Sequence, residues 1–186
     1  MTNGSRNRDR EALAIVSIGA AALEIGRYLW MLHDTRQQTE QALVGLDPAV
    51  LNWSPLPAAN SIGTLLYHIA FVEADWLYED TLEQPIPADV AALLPHGDRD
   101  QHGHLTVVTD RTLAQHLSML AAIRERLIAT FSAMSLDDFH RLRPRPRYDV
   151  SPEWCAYHLV EHEVEHRGEI RTVRLLAEAA LGIGTG

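Results

Sequence analysis

Three histidines near the C-terminal end of the sequence are spaced four residues apart, at His158, His162 and His166. Side chains at this spacing lie one turn apart on the same face of an α-helix, so the imidazoles are predicted to form one stripe. Neighbours in the stripe are about 6 Å apart and the outer two about 12 Å apart. Because metal–nitrogen bonds are about 2 Å long, two adjacent imidazoles can bind one ion but all three cannot. The stripe therefore predicts part of a metal site that needs a further ligand from elsewhere.

The composition limits the kinds of site and partner. The chain has 186 residues, 46% hydrophobic and 22% charged, which is typical of one globular domain with a buried core. The net charge of −9 argues against a nucleic-acid partner, which needs a basic surface. The single cysteine, Cys155, excludes an internal disulfide and a cysteine-based zinc site. We interpret it as a buried small side chain rather than a nucleophile. Any metal must therefore be bound by histidine nitrogens and carboxylate oxygens.

The distribution of apolar residues bears on location and domain boundaries. No apolar run approaches the roughly 20 residues needed to span a bilayer, so no membrane association is expected. The N-terminus is polar and lacks an apolar signal core, which predicts a cytoplasmic protein. Residues 1–20 are expected to be an N-terminal extension, partly helical or mobile. Residues 21–186 are expected to be a single helical domain.

Apolar residues recur at helical spacing in four segments, and no convincing strand is found. The first segment covers about residues 21–46 and could begin as early as Asp9. The second begins at a capping residue, either Asn60 or Ser61. Together with two later segments, these predict an all-α fold, a four-helix bundle.

The second half of the chain contains the other two predicted helices. Asp110 is the predicted cap of the third helix. Ser151-Pro152 is a strong helix start, a capping serine followed by a proline, and this last helix should extend to about Leu181. Residues 84–108 have no regular period, and a connection this long either crosses a bundle or carries function.

His68, in the second predicted helix, lies on the same inward stripe as Leu65. It can meet the histidines of the last helix if the two helices are neighbours, and metal sites in bundles form between facing helices. Buried imidazoles are costly unless they are hydrogen-bonded or bind a metal. The pattern leaves open both a three-histidine site and a set of hydrogen-bonded core histidines. It also leaves open whether His158–His162 or His162–His166 is the ligating pair.

Other polar residues each have more than one possible role. Glu161, Glu165 and Glu169 form a second ladder about 100° round the last helix, and could orient imidazole N–H groups or form a solvated acidic face. Glu73 could be a ligand, a general base or a structural residue. The arginine-rich loop 141–147 could bind an anion, but a solvated basic loop is the favoured interpretation. The histidines left outside the site are His33, His96, His102, His104, His116 and His140.

Several motifs, taken in order, resemble the DinB/YfiT-like superfamily of helical bundles. They are Asn60-Ser-Ile-Gly-Thr-Leu-Leu-Tyr-His68, Trp76-Leu77, Ser151-Pro-Glu-Trp154 and His158-Leu-x-x-His162-Glu-x-x-His166-Arg-Gly. The resemblance covers roughly residues 21–181. Many relatives have Arg-Gly-Gln where this chain has Arg167-Gly168-Glu169, a departure outside the expected ligand set.

The resemblance implies an up-down-down-up four-helix bundle, with residues 84–108 as the long crossover between helices 2 and 3. It also implies a divalent metal bound by one histidine of the second helix and two of the last. The matching positions are His68, His162 and His166, which makes His158 a neighbour of the site. Three imidazoles leave at least one position open for water or substrate.

The same resemblance implies a function. Relatives with assigned activities are metal-dependent enzymes that use a low-molecular-weight thiol, mycothiol or bacillithiol. We therefore expect a thiol S-transferase or a hydrolase acting on a small-molecule substrate. The alternative is a non-catalytic metal-binding stress-response protein. The metal could be zinc, nickel or iron, since three-histidine sites accept each of them. A homodimer is expected by analogy with the family.

Overall fold

The computed structural model describes residues 13–57 and 59–183, which are mostly helical. The α-helices are α1 (Leu23–Leu43), α2 (Pro48–Leu51), α3 (Ile62–Asp75), α4 (Ala88–Ala91), α5 (Leu113–Ala133), α6 (Leu136–His140) and α7 (Pro152–Leu181). A π-helical segment, Trp76–Thr81, continues α3, and β1 (Arg143–Pro144) pairs antiparallel with β2 (Asp149–Val150). The prediction of an all-α protein is confirmed, although this short hairpin was not predicted. No helix in the described part of the chain is long and apolar enough to cross a membrane.

Side-chain caps explain where three of the long helices begin. The Ser61 hydroxyl accepts a hydrogen bond from the backbone of α3, which decides between the two predicted caps Asn60 and Ser61. Ser151 caps α7 in the same way, as the sequence predicted. The prediction of Asp110 as the cap of α5 was wrong. Thr112 is the cap, and its side chain forms a reciprocal pair of bonds with Gln115 that satisfies two backbone N–H groups.

The first helix is shorter at both ends than the sequence predicted. It begins at Leu23, and residues 13–20 are not helical. It ends at Leu43 because Gly45 has a φ of +68°, a conformation that glycine adopts without a steric penalty. Most of the predicted N-terminal extension, residues 1–12, lies outside the described residues.

Side-chain contacts fix the relative directions of α1 and α7. At one end, the Tyr28 hydroxyl lies 3.4 Å from Glu153 Oε1, near the start of both helices. At the other end, Arg174 Nη1 donates to the Ala42 carbonyl at 2.8 Å. The N-terminal parts of α1 and α7 are therefore in contact with each other, and so are their C-terminal parts, which means that the two helices run parallel.

The directions of α3 and α7 are opposite. His68, in the middle of α3, contacts His162 in α7. Trp76, at the C-terminal end of α3, contacts Trp154 near the start of α7, with ring centroids 5.1 Å apart. This antiparallel contact brings the histidine of α3 against the histidine stripe of α7.

A ring of four buried charged side chains joins the four long helices. Its members are Arg36 of α1, Glu73 of α3, Arg124 of α5 and Glu163 of α7. Each guanidinium contacts both carboxylates at 2.7–2.8 Å, so positive and negative charges alternate around the ring. Burial opposes ionisation of Glu163, but the charges of Arg36 and Arg124 hold its pKa below the usual value. Glu73, considered above as a metal ligand or general base, is therefore occupied in this ion cluster.

The arginine-rich loop is solvated only in part, because two of its four arginines make internal contacts. Arg143 is only 2% exposed and donates to the carbonyls of Asp138 and Arg141 at 3.1 and 2.9 Å. Arg145 Nε donates to the buried carboxylate of Asp80 at 2.9 Å. The bonds of Arg143 hold the β1–β2 hairpin against the end of α6, and the bond of Arg145 holds it against the π-helical segment.

The buried His116 of α5 should make the stability of the protein depend on pH. Its side chain is fully buried, and neither ring nitrogen has a hydrogen-bond partner among the described residues. Burial, aided by the charge of Arg111, lowers the pKa of His116 to about 4. The unfolded chain therefore binds a proton at a pH where the folded protein does not. Stability should fall as the pH is lowered, by about 2 kcal/mol between about pH 7 and 5 from this residue.

Urea unfolding across this pH range tests the assignment. His116→Leu removes the titrating group and should show a pH dependence about 2 kcal/mol shallower than the wild type. The matched control His33→Leu removes an exposed histidine of α1 and should keep the dependence of the wild type. Equal pH dependence in the wild type and His116→Leu would contradict the prediction.

Candidate metal centre

Three imidazoles from two helices converge on one point. His162 Nε2 lies 3.1 Å from His68 Nε2 and 3.1 Å from His166 Nε2. The three rings meet edge to face, with centroids 4.5–4.9 Å apart. His68 and His162 are buried, and the side chain of His166 is 14% exposed. The structure thus brings together the three histidines that the resemblance implied.

The spacing and protonation of these nitrogens fit a divalent ion. In a tetrahedral site with bonds of about 2.0–2.1 Å, two ligand nitrogens are about 3.3 Å apart, close to the distances found here. Burial, together with the charges of the other histidines, lowers the pKa of His162 to about 3. His162 is therefore neutral at pH 7, and neutral imidazole is the form that binds metals.

Asp98 fixes the orientation of His68. Its Oδ1 lies 2.5 Å from His68 Nδ1, so the carboxylate accepts the Nδ1 proton and leaves the Nε2 lone pair facing the other two histidines. Burial opposes ionisation of Asp98, but its hydrogen bond with His68 and the charges of His68 and Arg99 hold its pKa below the usual value. A carboxylate that orients a ligand in this way is common in histidine metal sites. Asp98 was not predicted from the sequence.

Tyr67 anchors the connection that carries Asp98. Its hydroxyl donates to the His96 carbonyl at 2.6 Å and accepts from the His96 backbone N–H at 2.9 Å. The guanidinium of Arg111 lies 5.5 Å from the Tyr67 ring centroid. Tyr67 is adjacent to His68 in sequence, so one helical turn holds both the histidine and the loop that orients it.

His158 lies beside the cluster rather than in it. Its ring stacks on Trp154 with centroids 5.0 Å apart and an interplanar angle of 14°. It is also 4.7 Å from the Trp76 centroid and 5.8 Å from that of His162. Burial lowers the pKa of His158, which favours its neutral form. Its place is that of a neighbour, as the resemblance implied.

The glutamate ladder of α7 contacts the histidines only at its ends. Glu169 Oε1 lies 3.4 Å from His166 Nδ1, and Glu161 Oε2 lies 3.9 Å from His158 Nδ1. Both carboxylates are about half exposed. Glu169 thus lies beside His166 without a hydrogen bond to its Nδ1, whereas Glu161 belongs to the exposed acidic face.

A cleft of about 390 Å³ opens at the histidine cluster. Its lining residues are Asn60, His68, Val72, Trp76, Asp98, Arg99, Leu105, His158, His162 and His166. Within the described residues, the side chains able to share one ion at this place are the three histidines.

Comparison with known proteins identifies the family to which the chain belongs. The family model described as mycothiol S-transferase matches residues 29–179. The chain belongs to the mycothiol S-transferase family. This is a DinB-like family, so the resemblance seen in the sequence motifs is confirmed. The matched region contains all three converging histidines. No curated protein sequence matches the chain.

A solved structure shares the fold. It is the crystal structure of a conserved protein of a locus from Enterococcus faecalis, with a TM-score of 0.65 and 16% sequence identity. The alignment covers 82% of this chain and 95% of that chain. At this identity the likeness shows a common helical fold.

Asp98 should contribute to metal affinity through His68. Asp98→Asn removes the charge that stabilises the imidazole in its binding orientation, and we expect zinc affinity to fall by about 10–100-fold. The control Asp110→Asn changes an exposed carboxylate on the same connection, whose contact in the structure is with His96. Competition for zinc with a chromogenic chelator measures both variants. Unchanged affinity in Asp98→Asn would contradict the role given to this carboxylate.

Proposed function

We propose that the protein is a divalent-metal-dependent S-transferase that joins mycothiol to an electrophilic small molecule. The metal is supported by the convergence of three imidazole nitrogens, with the Nε2 atoms of His68 and His166 each 3.1 Å from His162 Nε2. Membership of the mycothiol S-transferase family supports mycothiol as the thiol substrate. In this proposal the ligands are His68, His162 and His166.

In this proposal some residues of the chain orient the metal ligands and others bind the substrate. Asp98 keeps the Nδ1 proton on His68, so that Nε2 is free to bind the ion. The ion, when bound, would lower the pKa of a thiol at its open position. The cleft beside Trp76 and His158 would hold the electrophile against the sulfur, because reacting atoms must be kept close and aligned.

The cleft also favours an enzyme over a non-catalytic metal-binding protein. A structural ion is normally surrounded by four protein ligands, whereas a catalytic ion keeps a position for water or substrate. Three histidines at the base of a cleft match the second arrangement.

We further propose that α1, α3, α5 and α7 form the up-down-down-up four-helix bundle, with residues 84–108 as its long crossover. The parallel contacts of α1 with α7 and the antiparallel contacts of α3 with α7 support this path. The ion cluster with one member from each long helix supports a bundle. The homodimer and the cytoplasmic location stay predictions.

A conjugation assay tests the enzymatic proposal. Tag-free protein loaded with zinc, nickel or iron(II) is mixed with iodoacetamide and either mycothiol, bacillithiol or glutathione, and the thioether is followed by mass spectrometry. We expect catalysed conjugation of mycothiol that is lost on adding a chelator and in His166→Ala. No rate above the uncatalysed reaction with any thiol and metal would contradict the proposal.

A further inference from the structure

A second cleft adjoins the histidine cluster and shares the Trp76 side chain with it. This cleft has a volume of about 390 Å³ and is lined by Trp76, Tyr148, Asp149, Val150 and Trp154. We call it the aromatic subsite. Three of its five lining residues are aromatic, which is typical of sites that bind apolar groups of small molecules.

Stacked rings connect the aromatic subsite to the histidine cluster. The His158 ring, 5.8 Å from that of His162, stacks on Trp154. Trp76 lies between the two clefts, with its ring 4.7 Å from His158 and 6.2 Å from Tyr148 at an interplanar angle of 20°. A ligand in the aromatic subsite is therefore separated from the histidine cluster only by this aromatic wall.

The two outer aromatic residues are partly exposed, and hydrogen bonds fix the position of Tyr148. Tyr148 and Trp154 expose 47% and 45% of their surface. The Tyr148 hydroxyl donates to Asp80 at 3.3 Å, and its backbone carbonyl accepts from Arg145 N at 2.8 Å within the hairpin. Rigid, exposed aromatic faces next to a cleft are suited to stacking on a ligand, since little conformational entropy is lost on binding.

The electrostatic surroundings of the subsite are acidic. Burial and the nearby carboxylates of Asp80 and Asp75 raise the pKa of Tyr148. Asp149 lines the cleft directly, no arginine is among the lining residues, and Arg145 is paired with Asp80. An anionic group would be repelled here, whereas an uncharged aromatic ring would not.

We propose that the aromatic subsite binds the planar, uncharged part of the electrophile and so makes the enzyme selective for aromatic electrophiles. The identity of the occupant as an electrophile rests on the proposed function. The affinity of the cleft for an uncharged arene is independent of it, because the lining residues are not metal ligands. Trp154 and Tyr148 are positioning residues in this scheme.

Fluorescence titration with two matched probes tests binding. N-phenyl-1-naphthylamine is a planar uncharged arene, and 8-anilino-1-naphthalenesulfonate is the same arene with a negative charge. We expect the uncharged probe to bind more tightly, and Trp154→Ala to weaken its binding by about tenfold. Tyr148→Ala should also weaken it, which guards against a folding defect in one variant.

The matched control is Tyr157→Ala. Tyr157 lies on the same helix, is 49% exposed and lines neither cleft. Its replacement removes an equally exposed aromatic side chain and should leave probe binding unchanged. Wild-type affinity for the uncharged probe in both Trp154→Ala and Tyr148→Ala would overturn the proposal, as would tighter binding of the sulfonated probe.

Kinetics test selectivity and separate the two proposals. With N-(1-naphthyl)iodoacetamide, whose reacting carbon lies outside its arene, the thiol sulfur forms the new S–C bond, iodide leaves with the C–I electron pair and the thiol proton passes to solvent. Trp154→Ala should raise the KM for this arene by about tenfold with little change in kcat, and leave the KM for iodoacetamide unchanged. An equal change for both electrophiles would overturn the selectivity. His166→Ala should bind N-phenyl-1-naphthylamine like the wild type, so absence of any transferase activity would refute only the proposed function.

Discussion

Replacing His166 with alanine is expected to lower the affinity for divalent metal by at least about 100-fold. Loss of a directly bound ligand should cost more than the roughly 10–100-fold that is lost with an outer hydrogen-bond partner. His166 Nε2 lies 3.1 Å from His162 Nε2, and its removal would leave two protein nitrogens for the ion. Metal content of tag-free protein, measured after dialysis, should fall from about one equivalent to the background.

His158→Ala is the matched control for this experiment. His158 lies on the same helix and the same stripe, one turn before His162, but its ring stacks on Trp154 instead of joining the cluster. Its replacement should therefore weaken metal binding only slightly. Equal loss in both variants would contradict the pairing of His162 with His166.

Arg124→Met is expected to destabilise the folded protein by about 3–5 kcal/mol. Its guanidinium contacts Glu73 and Glu163 at 2.7–2.8 Å, and all of these groups are buried. Methionine keeps much of the volume but leaves two buried carboxylates facing the single guanidinium of Arg36. Urea unfolding monitored by circular dichroism measures the change.

Two further variants show whether the loss comes from the buried charge. Arg126, two residues later on the same helix, forms an exposed ion pair with Asp89, and Arg126→Met should leave stability close to that of the wild type. Combining Arg124→Met with Glu163→Gln restores the balance of charge in the cluster. This double variant should be less destabilised than the sum of the two single variants. Full additivity would contradict the account of the cluster as one coupled unit.

The helices could be predicted because their signals are local. The spacing of apolar residues and the capping serines at Ser61 and Ser151 identify α3 and α7 without any knowledge of tertiary structure. The cap at Thr112 was missed because aspartate is generally preferred to threonine at the N-cap, whereas here the reciprocal bonds between Thr112 and Gln115 favour the threonine. The hairpin was missed because two-residue strands are too short to show an alternating pattern.

The histidine cluster could be predicted only in part from spacing. A period of four residues puts His158, His162 and His166 on one stripe, but it does not say which two face the neighbouring helix. The motif resemblance made that choice. The role of Asp98 could not be predicted from the sequence because this residue lies in a connection without periodicity. Its contact with His68 depends on the anchoring of that connection by Tyr67.

The buried ion cluster was missed because charged residues are normally assigned to the surface. A local signal for it does exist in the sequence. Each member follows an apolar residue of the core by four positions, and so lies on the inner stripe of its helix. The pairs are Leu32 with Arg36, Ile69 with Glu73, Leu120 with Arg124 and Leu159 with Glu163. Two basic and two acidic residues at such positions on four helices indicate a balanced buried cluster.

Anomalous diffraction is the most direct test of the metal centre. Crystals of the tag-free protein would be soaked in zinc and measured at the zinc absorption edge. We expect one anomalous peak about 2.0–2.1 Å from the Nε2 atoms of His68, His162 and His166. The fourth position of the ion should face the cleft that contains Trp76. A peak bound by His158 instead of His166, or no peak at the cluster while zinc is bound elsewhere, would contradict the three-histidine site.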